Sequence, residues 1–329
     1  MAFIAESLNR IKVSPTLAVT NLASELKAQG KSVISLGAGE PDFDTPSNIK
    51  EAAKKAIDMG QTKYTPVGGT PDIKEAISEK FKRENNLIYN PSDQITVSNG
   101  GKHIIFNALV ATLNKGDEVI IPAPYWVSYP DMVLFAGGKP VILNTTIDSG
   151  FKVFPNEIEK LITDKTKWLI LNSPSNPTGA TYSAEDLRAI GEVIKKHPNI
   201  WVLSDDIYEH LVYDGFNYST FAEVAPDLYN RTLTVNGCSK AFAMTGWRIG
   251  FAGGSSVLIK AMEKLQSQST TNPSSISQAA AVEALNGDKS FLIDRANKFC
   301  ERRDIVVDLL NKVPGITCLN PEGAFYVYP

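Results

Sequence analysis

At 329 residues and 43% apolar content, the chain can bury a sizeable core, enough for one large domain plus part of another. Its net charge of −3, from 33 basic and 36 acidic residues with no basic block, leaves no electrostatic footprint for nucleic acid. Apolar runs such as "WLIL" are too short to span a bilayer, and the N-terminus, which carries Glu6 and no apolar stretch with a cleavage site, does not read as a signal peptide.

Helix and strand signals then alternate along the chain. "TPSNIKEAAKKAID" puts Pro46 at a first helical position and an apolar face of Ile49, Ala52, Ala53, Ala56 and Ile57 at helical spacing. "TPDIKEAISEKFK" repeats the device with Thr70 and Pro71. "DQITVS" reads as a short strand and "KHIIFNALVATL" as a buried helix. "DEVIIP", "KPVIL", "KWLILN", "NIWVLSD" and "RTLTVNG" are further short apolar strands. "SAEDLRAIGEVIKK" is a helix opened by a capping-box pattern, Ser183 with Asp186. "DRANKFCERRDIVVDLLNKV" is a long helix, and "GITCLN" and "GAFYVYP" read as strand-like pieces. The pattern predicts an α/β fold with a mostly parallel central sheet flanked by helices. The division it suggests is a large domain over 46–290 and a smaller α/β domain from 1–45 plus 291–329.

Cys238, Cys300 and Cys318 are odd in number and widely spaced, which suits reduced thiols in a cytoplasmic protein. Neither they nor His103, His197 and His210 form a metal pattern, so no metal is expected. "GxSxG" is absent, which argues against a Ser-His-Asp hydrolase.

Parallel sheets place ligands at the carboxyl ends of their strands. After "QITVS" comes "NGGKH", where Gly100 and Gly101 open a helix whose free N–H groups suit a phosphate, or form an ordinary strand-to-helix turn. After "KWLILN", Asn176 stands between Pro174 and Pro177, as a fixed donor to a ligand oxygen or as a plain Asn-Pro turn. After "NIWVL" come Asp205 and Asp206, with Tyr208 close behind. One acid could hold a cationic ring nitrogen, cap a helix, or join its neighbour on a metal. In "VNGCSKAFAMTGWRIGFAGG", Lys240 lies among small and apolar residues. A buried lysine loses charge and becomes a nucleophile or base; a surface loop lysine is the plain alternative. Arg248, eight positions on, stays cationic and suits a phosphate. One ligand uses the whole set: pyridoxal phosphate, with its aldehyde, ring nitrogen, phenolic oxygen and phosphate.

The ordered motifs "GAGEPDFDTP", "KYTPVGGTPDIKEAI", "SNGGKHIIFNAL", "PAPYWVSYP", "NSPSNPTGATYS", "SDDIYEHLVYDG" and "GCSKAFAMTGWRIGFAGG" span nearly the whole chain. With them the chain resembles the class I aminotransferases of pyridoxal-phosphate fold type I. It is most similar to the bacterial aspartate aminotransferase branch. The resemblance implies that Lys240 forms the Schiff base with the cofactor and shuttles the substrate α-proton. It implies that Asp205 keeps the pyridine nitrogen protonated, and that Tyr208 and Asn176 donate to the phenolic oxygen. Arg248, Ser239 and the backbone of Gly101 and Lys102 match the phosphate cup, and Trp126 matches the aromatic stacked on the ring. Tyr64 matches a tyrosine that reaches the neighbouring subunit's phosphate, so a homodimer is implied. Gly39 matches the glycine that meets the substrate carboxylate, and Asn176 and Trp126 also border the substrate. Lys102 resembles the group that binds the distal carboxylate of aspartate or glutamate, with Thr16 as helper; its plain alternative is a solvated first-turn lysine.

The implied activity is ping-pong transfer of an amino group from aspartate or glutamate to a 2-oxo acid. Prephenate or another amino acid as main substrate, or a related fold type I lyase, is the alternative. A non-catalytic ligand sensor is a third reading, disfavoured because no helix-turn-helix precedes the match. A nicotinamide site is set aside, since "GAGEPD" lacks the third glycine and its strand-to-helix context. Family members continue beyond "EGAFYVYP" with a segment that supplies an arginine for the substrate α-carboxylate. The expectation is therefore of a partial chain with an incomplete small domain.

Overall fold

The strand-like runs form β1 (Ile95–Asn99), β2 (Glu118–Ala123), β3 (Lys139–Asn144), β4 (Thr166–Asn172), β5 (Trp201–Asp205) and β6 (Thr232–Gly237), and a further strand, β7 (Ile249–Gly253), joins them in the computed structural model, which describes residues 3–329. They make one sheet in the order β1-β7-β6-β5-β4-β2-β3. β7 is antiparallel to both β1 and β6, and every other pairing is parallel, so the mostly parallel sheet forms as expected.

The helices in chain order are α1 (Pro15–Ala28), α2 (Ser47–Asp58), α3 (Pro71–Asn85), α4 (Gly101–Thr112), α5 (Ser128–Phe135), α6 (Pro155–Leu161), α7 (Ala184–Lys195), α8 (Phe221–Val224), α9 (Ser256–Ser267), α10 (Ser275–Asn286) and α11 (Phe291–Asn311). Both sheet faces are covered, which is why the strands read as near-continuous apolar runs. Along β4 the alternation is direct. Trp168 and Ile170 pack with Ile104 and Leu109 of α4, while Leu169 and Leu171 pack with Ile190 and Ile194 of α7. A third cluster joins α2, α3 and α10 to β1 and β7 through Ile49, Ile77, Ala281 and Phe251.

Local signals explain the helix starts. Thr70 accepts from the Ile73 N–H at 3.4 Å ahead of Pro71. Ser183 and Asp186 form the reciprocal capping box, at 3.1 and 2.9 Å.

Three expectations are corrected. Pro46 is the cap residue of α2 rather than its first helical residue. Ile57 is 52% exposed, because the buried stripe of α2 is only Ile49, Ala53 and Ala56. "GITCLN" and "GAFYVYP" do not form strands. Their one ladder contact is the isolated bridge between Val212 and Gly323. A strand needs a neighbour for its backbone groups, and here the Asn311 side chain takes that place at Cys318, donating to its carbonyl at 2.9 Å and accepting its N–H at 2.8 Å. Among the described residues, no helix is long and apolar enough to cross a membrane.

Candidate active site

A cavity of about 410 Å³ opens where β2, β4, β5 and β6 end and β7 begins. Because β7 runs antiparallel, its first residues share an edge with the carboxyl ends of its neighbours. Thr16, Gly39, Gly101, Lys102, Trp126, Asn176, Asp205, Tyr208, Ser239, Lys240 and Arg248 all line this cavity. Tyr64 does not. It is 91% exposed and lines a separate surface cleft beside Gly60 and Ser275.

Asp205 ends β5 and is buried. Burial pushes its carboxyl up to about 6, although a Tyr129 hydroxyl bond, the Ile207 N–H and the Lys240 charge pull it down. The Tyr129 hydroxyl donates to Asp205 Oδ2 at 2.6 Å. Asp206 diverges from it into the interior, where Ser204 donates to it at 2.7 Å and Thr220 donates to its other oxygen. The two adjacent acids therefore do not converge on a shared ion.

Lys240 follows β6 and faces the cavity. Its Nζ donates to the Gly39 carbonyl at 2.5 Å and lies 5.6 Å from the Tyr208 ring centre. Burial lowers its pKa to about 8. Asp205 and Glu40 oppose that shift, and the Arg248 and Lys102 charges add to it.

Arg248 is held in the left-handed region at φ 57. Its Nη1 donates to the Thr245 carbonyl at 2.8 Å and its Nη2 to the Asn99 carbonyl at 3.3 Å. Gly100, at φ 87, lies directly under the guanidinium, and a side chain there would collide with it. The next helix, α4, starts without a side-chain cap, and its first residues, Gly101 and Lys102, line the cavity beside the guanidinium. Backbone N–H groups and one fixed cation together suit an anion.

Asn176 follows β4, and its N–H is fixed by Asn172 Oδ1 at 2.7 Å. Asn172 Nδ2 in turn donates to the Asp205 carbonyl at 2.8 Å, tying the ends of β4 and β5 together. The Tyr208 hydroxyl shares a 2.6 Å hydrogen bond with Tyr326, which also accepts from Asn176 Nδ2 at 3.3 Å. Lys102 Nζ lies 4.8 Å from the Trp126 ring centre, and burial together with the Arg248 charge lowers its pKa. Thr16, on α1, borders the mouth.

Sequence reading missed Tyr129, Asn172 and Tyr326. Tyr129 stands inside the quoted "PAPYWVSYP" motif and Tyr326 inside "GAFYVYP", but nothing in the spacing says which oxygen either would reach. The Glu84, Glu209 and His210 side chains, the one group among the described residues with ligand-type atoms close enough for a metal, lie outside this cavity. Lys80, Arg83 and Lys289 already neutralise them.

A family profile described as "Aminotransferase class I and II" matches residues 31–329. The aspartate/prephenate aminotransferase of Cereibacter sphaeroides (strain ATCC 17029 / ATH 2.4.9) is 61% identical over 329 residues, which is all of this chain and 82% of that protein. The aspartate aminotransferase of Rhizobium meliloti (strain 1021) is 56% identical over 98% of this chain and 79% of its own length. The solved structure of Thermus thermophilus aspartate aminotransferase with maleate superposes with a TM-score of 0.94 at 46% identity, covering 99% of this chain and 85% of that one. Sequence and fold agree over the full described length: the chain belongs to the class I and II aminotransferases.

Proposed function

We propose that this chain transfers the amino group of aspartate or glutamate to 2-oxoglutarate or oxaloacetate, using pyridoxal phosphate, in ping-pong fashion and as a homodimer. The observation that carries the reading is the convergence, in one cavity, of a buried carboxylate, a lysine with a depressed pKa and a corner suited to an anion. The donor set suits the cofactor. Asp205 would hold the ring nitrogen, Tyr208 and Asn176 the phenolic oxygen, and Trp126 a ring face. Arg248, Ser239 and the backbone of Gly101 and Lys102 would hold the phosphate, and the missing side chain at Gly100 leaves room for the cup. When bound, pyridoxal phosphate supplies an aldehyde that condenses with amines and a ring that withdraws electrons from the substrate α-carbon.

The chain's own residues do the rest. With a pKa of about 8, a tenth or so of Lys240 is neutral at pH 7 and can act as nucleophile and base. Its Nζ takes up and returns the α-proton, and the Gly39 carbonyl gives the freed amine a resting partner. The Asp205 carboxylate, once ionised beside a cationic ring nitrogen, keeps that nitrogen protonated. Lys102 and Thr16, at the mouth, suit the distal carboxylate of a dicarboxylic substrate, and the Gly39 backbone suits its near carboxylate. The outward position of Tyr64 supports its reaching a second copy's phosphate.

The division into 46–290 and 1–45 plus 291–329 is supported by the ties between 42–44 and α11. Arg302 pairs with Asp42 through two bonds of 2.8 and 3.0 Å, and Arg295 donates to the Asp44 carbonyl at 2.6 Å. The name of the Cereibacter relative supports prephenate as a second amino acceptor. Buried Cys238 and Cys318, without disulfides, are consistent with a cytoplasmic setting.

Product analysis tests the reading. The protein with pyridoxal phosphate, aspartate and 2-oxoglutarate should give oxaloacetate and glutamate in equal amounts. Alanine and carbon dioxide from aspartate, with no glutamate formed, would mean a lyase.

A further inference from the structure

On the far side of the Tyr208 turn lies a charged cluster with no part in the chemistry above. Tyr208 faces the cavity, and the next residue, Glu209, points into the interior, where it is buried. Lys80 of α3, 1% exposed, forms an ion pair with Glu209. Lys80 Nζ also donates to Asn85 Oδ1 at 2.7 Å, and Asn85 Nδ2 donates to Glu209 Oε2 at 2.8 Å. Glu209 Oε1 accepts from Asn236 Nδ2 at 2.8 Å, and Asn236 Oδ1 accepts the Gly237 N–H at 2.7 Å. Asn236 is near the end of β6, the strand that delivers Ser239 and Lys240. One carboxylate is thus bonded to α3 and to β6 from the turn that carries Tyr208. Around it stand Glu84, 3.8 Å from Lys80 Nζ, and His210, which is 3.1 Å from Glu84. Lys289 also pairs with Glu84.

A buried ion pair seldom adds stability over well-packed apolar side chains, because desolvating both charges offsets their attraction. Its geometric effect is more definite: with every partner satisfied, only one arrangement of the three elements keeps the charges paired. We infer that the Lys80–Glu209 pair is a positioning device that fixes the Tyr208 hydroxyl relative to the Lys240 amine. Lys80 and Glu209 touch neither cofactor nor substrate; they act on the Tyr208 hydroxyl through its turn, which they anchor to α3 and β6. The inference rests on the proposed role of Tyr208 as a donor to the cofactor.

The test is a cycle among three variants: the double K80M/E209Q, which removes both charges together, Tyr208→Phe, and the triple combination. The readout is the pH at which the visible band of bound pyridoxal phosphate changes, which reports how firmly donors hold its phenolic oxygen. The double variant should raise that pH, and Tyr208→Phe should raise it further. The triple should match Tyr208→Phe, because the pair acts through that hydroxyl. Activity of the double variant should fall about tenfold to a hundredfold in kcat, the loss expected from an ångström-scale misplacement. An unchanged pH in the folded double variant would overturn the inference, as would an added shift in the triple. If the double variant does not fold, Asn236→Ala, which cuts the Glu209 bond to β6 together with the Gly237 N–H bond, should show the same upward movement at smaller amplitude, and none would overturn the inference. A parent with no visible band would refute the proposed function instead.

Discussion

Replacing Tyr129 with phenylalanine removes one oxygen and leaves the ring edge-on against Trp126, at 5.3 Å and 87°. That oxygen donates to Asp205 Oδ2 at 2.6 Å in a fully buried setting. A hydrogen bond to a charged group contributes about 1.5–3 kcal/mol, and each pKa unit corresponds to about 1.4 kcal/mol. Losing it should therefore move Asp205 from about 6 to roughly 7–8. The assay is equilibrium titration of cofactor-free protein with pyridoxal phosphate across pH. The readout is the ratio of variant to parent Kd, since titration of the phosphate and of Lys240 is common to both. Only ionised Asp205 holds a cationic ring nitrogen, so affinity is lost as pH falls through its pKa. The ratio should lie near one above about pH 9 and climb to about ten- to a hundredfold below about pH 6. A ratio that stays flat with pH would refute the reasoning, whether near one or uniformly raised.

Two further outcomes follow from the same site. The Asp205 carboxyl, raised from 3.8 to about 6 by burial, makes the cofactor-free protein lose stability as pH rises between those values. Asp205→Asn should therefore stabilise cofactor-free protein above pH 6 by up to about 3 kcal/mol and make no difference below about pH 4, as urea unfolding would show. Equal effects at both pH values would contradict it. Lys102→Gln should lower kcat/KM for aspartate and glutamate about tenfold more than for alanine, the scale of one charge-assisted bond. A uniform loss across all three would make Lys102 a phosphate-side or structural residue only.

Six of the seven strands and five of the eleven helices are legible in the sequence because burial on both sheet faces leaves unbroken apolar runs, as in "KWLILN", and because caps such as Ser183 with Asp186 are local signals. The candidate residues are legible because they cluster just beyond those runs. Tyr129 and Tyr326 are not, because their partners, Asp205 and Tyr208, lie far away in sequence and are chosen by packing. Lys80 is hidden for the opposite reason: it sits on α3 with charged neighbours and reads as solvated, yet is 1% exposed. The end pieces "GITCLN" and "GAFYVYP" have strand composition, but pairing depends on a neighbour that composition does not reveal.

The most direct test of the central claim is an absorption spectrum of the protein with pyridoxal phosphate, parent beside Lys240→Ala. The account predicts a yellow band in the parent that shifts with pH and discharges on adding aspartate, and no such pH-dependent band in the variant before amino acid is added. A parent that stays colourless in excess cofactor, or a variant that reproduces its band and its response to aspartate, would contradict it.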